Sequence, residues 1–427
     1  MIQAIRGMHD VLPADIGTWQ RVEQCAYRVF ARYGYQEIRI PLLEKTELFT
    51  QTLGAATDVV EKEMYTFDDR NGESLSLRPE GTAGVVRAVL QHSLLHTLPQ
   101  RLWYCGPMFR YEKPQQGRSR QFHQIGAEVF GAPGPDVDLE LLLLSARLWR
   151  ELGILDQVEL QLNTLGSAEE RHTYREQLRQ WLEARRDQLD DDSQRRIASN
   201  PLRVLDSKVP ATREVIANAP QLEEFLQPAS REHYQRIGDG LNDAGVSWSH
   251  QPHLVRGLDY YSHMVFEWVT DRLGAQGTIC AGGRYDGLCA VHGGPDTPAV
   301  GFAMGIERVV ALVDQCQPAT PASPHAYLVM AGEAAQRYGQ VLAERLRDAL
   351  PELRLQSHIG GGGFKAQFKR ADRCGAELAL VIGDDEAASA QVTVKPMRGQ
   401  GEQQTIAEDA LVTLLARLIQ TEGAAAE

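Results

Sequence analysis

The pattern of apolar and polar residues predicts a chain built from amphipathic helices and short strands. Apolar positions recur at helical spacing from residue 14 or 15 to Gly34, and a strand is predicted at 35–40. Strands at 64–67 and 74–79 flank the turn sequence DDRNG and predict a hairpin. A helix at 83–92 follows this hairpin.

The most informative stretch predicts a second hairpin, with a strand at 101–110, a charged loop at 111–120 and a strand at 121–130. With a two-residue period, one face of the second strand carries Phe122, Gln124, Gly126, Glu128 and Phe130. An amide and a carboxylate on an apolar face need partners, because an unsatisfied buried polar group costs about 1–3 kcal/mol. The pattern alone leaves two interpretations open, a strand that faces a polar ligand and an edge hairpin with a solvated face.

The next part of the chain predicts a core interrupted by an insertion. A leucine-rich helix at 135–152 precedes a strongly charged segment of helical pattern at about 163–250. A strand at 264–269 and a strand–glycine–helix unit at 299–312 then return to the apolar pattern of the core.

The chain is long enough for two or three domains, and a proline-rich stretch marks the boundary between two of them. We predict a first domain at 1–318, a linker at 319–324 and a second domain at 325–427. Strands and helices alternate in the second domain, which predicts a small α/β domain with a mostly parallel sheet.

Composition narrows the possible functions. The net charge of −13 argues against an RNA-binding protein that works by bulk positive charge. The six cysteines lack C-x-x-C spacing, so neither a metal site nor a disulfide framework is predicted. Free thiols and the lack of a signal peptide favour a cytoplasmic protein, and no apolar run is long enough to span a membrane.

Four short segments and one long one resemble the class II histidyl-tRNA synthetases. The long segment, FRYEKPQQGRSRQFHQIGAEVFG at 109–131, is similar to motif 2 of that family. RPEGT at 78–82 resembles its amino-acid-binding segment, and RGLDYY at 256–261 and AGGRYDGL at 281–288 resemble its histidine-specific signatures. AVGFAMGIERVVAL at 299–312 is similar to motif 3.

The resemblance implies an α+β fold. Its parts are an antiparallel-sheet catalytic core, a helical insertion over the tRNA acceptor stem and a C-terminal α/β anticodon-binding domain. The helix and strand before Pro41 resemble motif 1, which implies a homodimer. The implied reaction activates L-histidine with ATP to histidyl-adenylate and transfers it to the 3′ end of tRNA(His). ATP with Mg²⁺ is the implied co-substrate, without a tightly bound cofactor.

The resemblance also implies roles for residues at matching positions. The residues implied for histidine are Glu80, Thr82, Arg110, Gln124, Glu128, Arg256, Tyr260, Tyr261 and Tyr285. The residues implied for ATP are Arg110, Glu112, Arg118 and Arg308. The residues implied for tRNA are Gln115, Lys365, Lys369 and Arg370.

A neutral imidazole has one donor and one acceptor nitrogen, so a pocket that selects it needs a group for each. The resemblance gives these roles to Glu128 and Tyr261, with Tyr285 shaping the pocket. It assigns the amino group of histidine to Glu80, Thr82 and Gln124.

The implied catalytic set consists of arginines, with Arg110 and Arg256 near the carboxylate and α-phosphate and Arg308 at the γ-phosphate. Arginine suits these positions because its charge is fixed and its guanidinium can hold two oxygens at once.

Several of these residues also have ordinary structural interpretations. Glu80 could favour the dipole of the following helix, and Thr82 could cap it. The basic run that contains Lys365 could be a solvated helix face. Position 113 departs from the family, which commonly has arginine there, because lysine keeps the charge but loses the bidentate fork.

Three rival functions remain at this point. A histidine-sensing regulatory subunit of ATP phosphoribosyltransferase shares the core, but it lacks a C-terminal domain like residues 325–427. A class II synthetase for another amino acid would not need RGLDYY and AGGRYDGL. A stand-alone RNA-binding module would not need Arg110, Arg256 and Arg308 together.

Overall fold

A computed structural model describes residues 2–54, 57–115, 117–207, 209–255, 260–274, 277–318, 323–398 and 401–426. The chain forms two compact units, residues 1–319 and 320–427. The predicted site residue Arg256 and most of the predicted linker at 319–324 lie outside the described residues.

The first unit combines helices with strands of a large and a small sheet. Its helices are α1 Ile16–Arg32, α2 Thr46–Leu53, α3 Thr82–Gln91, α4 Pro135–Glu151, α5 Ala168–Glu183, α6 Asp191–Ser199, α7 Pro210–Ile216, α8 Pro228–Asp243, α9 Leu288–Val291 and α10 Ile306–Cys316. Its strands are β1 Gln36–Glu37, β2 Leu43–Lys45, β3 Thr66–Asp68, β4 Ser74–Leu77, β5 Gln100–Phe109, β6 Gln121–Phe130, β7 Glu159–Thr164, β8 Trp248–His250, β9 Ser262–Val269, β10 Thr278–Arg284 and β11 Ala299–Gly305.

The large sheet has eight strands in the order β1-β5-β6-β11-β10-β9-β7-β8. Its inner pairs are antiparallel, and the pairs at its two edges, β1 with β5 and β7 with β8, are parallel. The prediction of a largely antiparallel α+β core is therefore confirmed. The helices α5 to α8 lie between β7 and β8 along the chain, so the charged segment leaves the sheet at one edge strand and returns beside it.

Three long helices pack against one face of this sheet. Trp19 and Phe30 of α1, Trp149 of α4 and Val309 of α10 share a hydrophobic cluster with sheet residues such as Phe266. A second cluster joins α3 and the insertion helices to other sheet residues. The central strands are thus covered on both faces, which fixes the side chains that they carry.

The second unit has a five-stranded sheet in the order β13-β12-β14-β15-β16. Its strands are β12 Ala326–Met330, β13 Leu355–Ser357, β14 Leu378–Ile382, β15 Gln391–Pro396 and β16 Gln404–Ala407. Its helices are α11 Glu333–Ala349, α12 Phe364–Arg373, α13 Asp384–Ser389 and α14 Glu408–Ala426. No helix in the described part of the chain is long and apolar enough to cross a membrane.

The sheet of the second unit is mixed, so the prediction of a mostly parallel sheet was wrong. Strand β12 pairs in parallel with β13 and β14, but β14–β15 and β15–β16 are antiparallel. A parallel connection needs a crossover of about a dozen residues or more. The six-residue helix α13 is shorter than that, and Ala390 after it has a φ of 51° that reverses the chain.

Candidate active site

Residues from all five segments that resemble the family meet in one cavity of about 300 Å³ in the first unit. Predicted site residues that line it are Glu80, Thr82, Arg110, Glu112, Arg118, Gln124, Tyr260, Tyr261, Tyr285 and Arg308. They come from the loop between β5 and β6, from β6, from the start of α3, from the start of α10 and from the segments beside β9 and β10. We refer to this space as the first cavity.

Glu80 holds the N-terminus of α3 and also faces the first cavity. Its carboxylate accepts hydrogen bonds from the backbone N–H groups of Thr82 at 2.7 Å and Ala83 at 2.9 Å. Only 5% of Glu80 is exposed, and this burial raises the pKa of its carboxyl. The ordinary role predicted for Glu80 is therefore present, and it does not prevent contact with a ligand.

Thr82 does not cap the helix, which corrects the alternative considered from the sequence. Gly81 occupies the N-cap position, and Thr82 is the first helical residue. The Thr82 hydroxyl instead donates a hydrogen bond of 2.7 Å to the Glu128 carboxylate. Glu80 provides the cap because its carboxylate reaches two free N–H groups of the first turn.

Glu128 lies beneath the first cavity and is 1% exposed. Its carboxylate accepts hydrogen bonds from the hydroxyls of Thr82 and Tyr285, which both line the cavity. Burial raises the pKa of Glu128 to about 8, against the opposing effect of these two hydroxyls. The structure thus places Glu128 behind the lining residues, where it orients two of them.

A missing side chain on the adjacent strand makes room for Glu128. Gly301 of β11 is its cross-strand partner. A Cβ atom added at Gly301 would collide with the Glu128 carboxylate, so only glycine fits opposite this side chain.

Gln124 brings an unpartnered oxygen to the same cavity. Its side-chain Oε1 is buried and has no hydrogen-bond partner among the described residues. Two positions earlier on β6, the Phe122 ring lies 5.3 Å from the Arg110 guanidinium. The mixed face predicted for this strand therefore borders a cavity, as the ligand interpretation required.

Three tyrosines form the aromatic wall near Glu128. The ring of Tyr260 lies 4.6 Å from the ring of Tyr261 and 5.7 Å from that of Tyr285. Tyr261 and Tyr285 are buried. Together with Glu80, Thr82 and Gln124 they form what we call the polar end of the first cavity.

Three arginines form what we call the cationic end. The Arg308 side chain donates to the carbonyl oxygens of Gly117 at 3.1 Å and Thr278 at 2.6 Å. Burial lowers the pKa of Arg308, and the positive charges of Arg118 and Arg110 lower it further. Because these cations repel one another, the cluster is suited to a polyanionic ligand.

Two carboxylates accompany these cations. Glu112 forms an ion pair with Arg118 at 3.1 Å. Glu307 was missed in the sequence analysis, although it directly precedes Arg308 in the motif 3 segment. It accepts hydrogen bonds of 2.9 and 3.0 Å from the backbone N–H of His123, so it fixes β6 against α10.

The residues of the AGGRYDGL segment at 281–288 have different roles. Tyr285 serves the cavity, whereas Arg284 is 1% exposed and pairs with the buried Asp138 of α4. Gly283 of the same segment packs closely against strand β9, because a Cβ atom there would lie 2.5 Å from the Met264 backbone oxygen.

The residues predicted for tRNA are distributed over both units. Gln115 is exposed in the loop after β5, where its N–H donates to the Arg118 oxygen at 3.2 Å. Lys365, Lys369 and Arg370 are exposed on α12 of the second unit. Arg370 also borders a cavity of about 420 Å³ in that unit.

Comparison with known proteins agrees with this architecture. A histidyl-tRNA synthetase family model matches residues 7–309, and an anticodon binding domain model matches residues 325–418. A histidine–tRNA ligase of Halorhodospira halophila (strain DSM 244 / SL1) is 57% identical over 98% of each chain.

Solved structures show the same relationship. The crystal structure of apo S. aureus histidyl-tRNA synthetase is 34% identical over 97% of this chain and 100% of that one, with a TM-score of 0.82. The histidyl-tRNA synthetase of Nostoc sp. PCC 7120 is 18% identical over 98% of this chain and 100% of that one. Its TM-score is 0.72, a likeness of fold. From the family match and these identities, the chain belongs to the histidyl-tRNA synthetase family.

Proposed function

We propose that the protein activates L-histidine with ATP and transfers the histidyl group to the 3′ end of tRNA(His). In the first step a histidine carboxylate oxygen attacks the α-phosphorus, and pyrophosphate leaves. In the second step a ribose hydroxyl attacks the carbonyl carbon of the adenylate, the bond from carbonyl carbon to phosphate oxygen breaks, and AMP leaves. The proton of the hydroxyl passes to the released phosphate or to solvent.

The observation that carries this proposal is that one cavity joins a polar end to a cationic end. The polar end offers the carboxylate of Glu80 and the side-chain oxygen of Gln124, which suit an ammonium group. The cationic end offers Arg110, Arg118 and Arg308, which suit a triphosphate. A bound amino acid and ATP would therefore meet near Arg110, which lines the same cavity.

Selection of histidine is assigned to the polar end. One imidazole nitrogen is assigned to the hydroxyl of Tyr261. The other is assigned to Glu128, which acts through the hydroxyls of Thr82 and Tyr285 that donate hydrogen bonds to it. Sites built on buried hydrogen bonds reject analogues without them by about 10⁴–10⁵-fold. Arg256 completes the proposal as a partner of the histidine carboxylate and the α-phosphate.

The chemistry requires positioning and charge neutralisation more than covalent help from the protein. Arg308 is assigned to the γ-phosphate, and Arg110 to the α-phosphate. Mg²⁺ would enter with ATP, since it is usually bound by phosphates and one or two carboxylates. Glu112 is the carboxylate beside Arg118 at this end.

The remaining parts of the proposal concern RNA, assembly and location. Gln115 and the α12 residues Lys365, Lys369 and Arg370 are assigned to tRNA. We expect a homodimer in the cytoplasm. The ligase assignment, rather than a regulatory subunit of ATP phosphoribosyltransferase, is supported by the relative from Halorhodospira halophila, which matches 98% of the chain.

Amino-acid-dependent ATP–pyrophosphate exchange, measured for all twenty amino acids, tests this proposal. We expect exchange with histidine alone, and we expect its loss in Arg256→Ala. Arg236→Ala, which changes an exposed arginine on α8, is the matched control and should retain exchange.

Two other results would overturn the proposal. Saturable histidine binding without exchange would indicate a regulatory function. Exchange with a different amino acid would show that the polar end selects something other than imidazole.

A further inference from the structure

The loop at 111–120 carries part of the cationic end, so the way in which its base is held matters for that end. Gly117 of this loop lines the first cavity, and its backbone oxygen accepts the 3.1 Å hydrogen bond from Arg308. At the base of the loop, the Arg110 N–H donates to the Arg120 oxygen at 2.9 Å. Movement of this base would therefore be transmitted to the groups around Arg308.

Gly7 contacts the loop base from a distant part of the chain. It lies in a turn at residues 5–8, in which the Met8 N–H donates to the Ile5 oxygen at 2.9 Å. The Gly7 oxygen accepts a hydrogen bond of 2.6 Å from the Arg120 N–H. Gly7 is buried, although the described residues before it are exposed. The turn is thus in contact with the loop through its glycine.

This contact leaves no room for a side chain at position 7. Gly7 has a φ of 85°, a conformation that favours glycine. A Cβ atom there would lie 2.8 Å from Pro114 Cγ and 3.0 Å from Arg120 Cγ, whereas ordinary contact begins at 3.4 Å. Pro114 belongs to the loop, and its ring cannot turn aside as a flexible side chain can. Backbone and space both require glycine where the turn meets the loop.

The other end of the loop has a comparable contact. The Tyr111 N–H donates to the Glu63 oxygen at 2.6 Å, and the Tyr111 ring lies 5.6 Å from the ring of Tyr65. The Arg120 guanidinium lies 3.8 Å from the centre of the Tyr111 ring, so the two ends of the loop also contact each other. Both ends of the loop are therefore held by backbone groups from elsewhere in the chain.

We propose that Gly7 is a positioning residue for ATP. The turn at residues 5–8 holds the loop base, and the loop in turn places Arg118 and the Gly117 oxygen that orients Arg308. This inference rests on the proposed function and deepens it, since the cationic end is assigned to the triphosphate. Because coupling between two binding events is reciprocal, bound ATP must also stabilise the contact between the turn and the loop.

The test uses a methyl group at position 7. Gly7→Ala forces this group against Pro114. Gly34→Ala is the matched control, because Gly34 has a similar φ of 77° and a Cβ atom there would have no contact within 4 Å among the described residues. The double variant Gly7→Ala with Pro114→Ala keeps the backbone strain and removes the ring carbon nearest to the methyl group. It is the restoring variant, and Pro114→Ala alone is its reference.

Two quantities are measured on the full chain, the Kd for ATP by calorimetry and the KM for histidine in pyrophosphate exchange. We expect Gly7→Ala to raise the Kd for ATP about tenfold, because small misplacements of positioning groups have large effects. The KM for histidine should stay within about twofold of the native value, because the polar end is built on other elements. Gly34→Ala should bind ATP like the native protein, and the double variant should recover most of the loss.

A second measurement uses the native protein and decides the inference even if Gly7→Ala does not fold. Amide hydrogen exchange is followed in the peptide that contains residues 5–8, with and without saturating ATP. We expect ATP to slow exchange in this peptide as well as in the loop, since the coupling is reciprocal.

Four outcomes would overturn the inference. They are an unchanged Kd for ATP in Gly7→Ala, an equal loss in Gly34→Ala, a loss that the double variant does not reduce, and exchange at residues 5–8 that ATP leaves unchanged. Absence of histidine-dependent pyrophosphate exchange in a native protein that binds ATP would instead refute the proposed function. The two failures are therefore distinguishable.

Discussion

The two ends of the first cavity are built on different principles. At the polar end, Glu80 and Glu128 are almost fully buried, and their carboxylates are held by backbone N–H groups and hydroxyls. At the cationic end, Arg118 is exposed in a loop, and Arg308 is held by two backbone carbonyls. One end is fixed by the sheet and helix α3, and the other depends on a loop.

This difference matches the tasks that we assign to the two ends. Discrimination between amino acids requires hydrogen-bonding groups that cannot rearrange, and burial between packed elements provides this. Neutralisation of a triphosphate requires charge close to the phosphates and tolerates mobility of some of the groups. Substitutions at the two ends should therefore change different kinetic parameters.

The largest effect is expected at the fixed arginine of the cationic end. Arg308→Ala should lower kcat for histidine-dependent exchange by about 10³-fold, because a stabilising charge is lost from the phosphoryl-transfer transition state. The KM for histidine should stay within threefold of the native value. Arg308→Lys should recover part of the loss, since lysine keeps the charge without the fork. A loss below tenfold in Arg308→Ala would contradict the assignment.

The next largest effect is expected in the buried network of the polar end. Tyr285→Phe removes one of the two hydroxyls that donate to Glu128 and leaves a buried oxygen without its partner. Such a loss costs about 1–3 kcal/mol, which should raise histidine KM about 10–100-fold with a smaller change in kcat.

Steady-state kinetics with varied histidine measure this effect. The control is Tyr234→Phe, whose hydroxyl forms a hydrogen bond of 2.8 Å with His250 on the insertion side. A histidine KM within threefold of the native value in Tyr285→Phe would show that Glu128 does not act through Tyr285.

The pKa of Glu128 predicts a pH dependence of stability. Burial raises this pKa from 4.5 to about 8, so the native state keeps a proton that the unfolded state releases between these values. The stabilisation from this group is complete below pH 4.5 and is lost as pH rises through about 8. Glu128→Gln cannot titrate and removes this contribution.

The measured quantity is the difference in the free energy of unfolding between the native protein and Glu128→Gln. This difference should fall as pH rises. One linked proton gives a slope of up to about 1.4 kcal/mol per pH unit between pH 4.5 and 8. Urea unfolding of both proteins at pH 5.5, 6.5 and 7.5 measures it. A flat or rising difference would mean that Glu128 titrates near its ordinary value.

The smallest effect is expected at the exposed arginine of the cationic end. Arg118 pairs with Glu112, and exposed ion pairs contribute about 0–1 kcal/mol. Arg118→Ala should raise the KM for ATP about threefold to fivefold, with little change for histidine. If Arg118→Ala were as damaging as Arg308→Ala, the proposed distinction between the buried Arg308 and the exposed Arg118 would be wrong.

Local sequence patterns predicted much of the fold because they reflect local physics. Periodicity identified α1, α4 and the hairpin of β5 and β6, since amphipathic spacing is set by each element alone. The mixed sheet of the second unit was not predicted, because strand pairing depends on connections between distant residues. The first strand was also shorter than predicted, with only Gln36–Glu37 paired to β5.

In the candidate site, too, local motifs were predicted from the sequence and long-range contacts were not. Motif resemblance named ten of the residues that line the first cavity, but it did not place Glu128 behind Thr82 and Tyr285. It also did not separate Arg284, which pairs with Asp138, from its neighbour Tyr285. These distinctions arise from contacts across the sheet, which a linear pattern does not contain.

Gly301 gives this architecture a consequence for protein engineering. A carboxylate can lie beneath the first cavity only because the residue opposite Glu128 on the neighbouring strand has no side chain. A Cβ atom at position 301 would also lie 2.6 Å from the backbone oxygen of Ala127, so a smaller residue at position 128 would not make room for a side chain there. Engineering of amino-acid specificity should therefore vary position 128 and keep glycine at position 301.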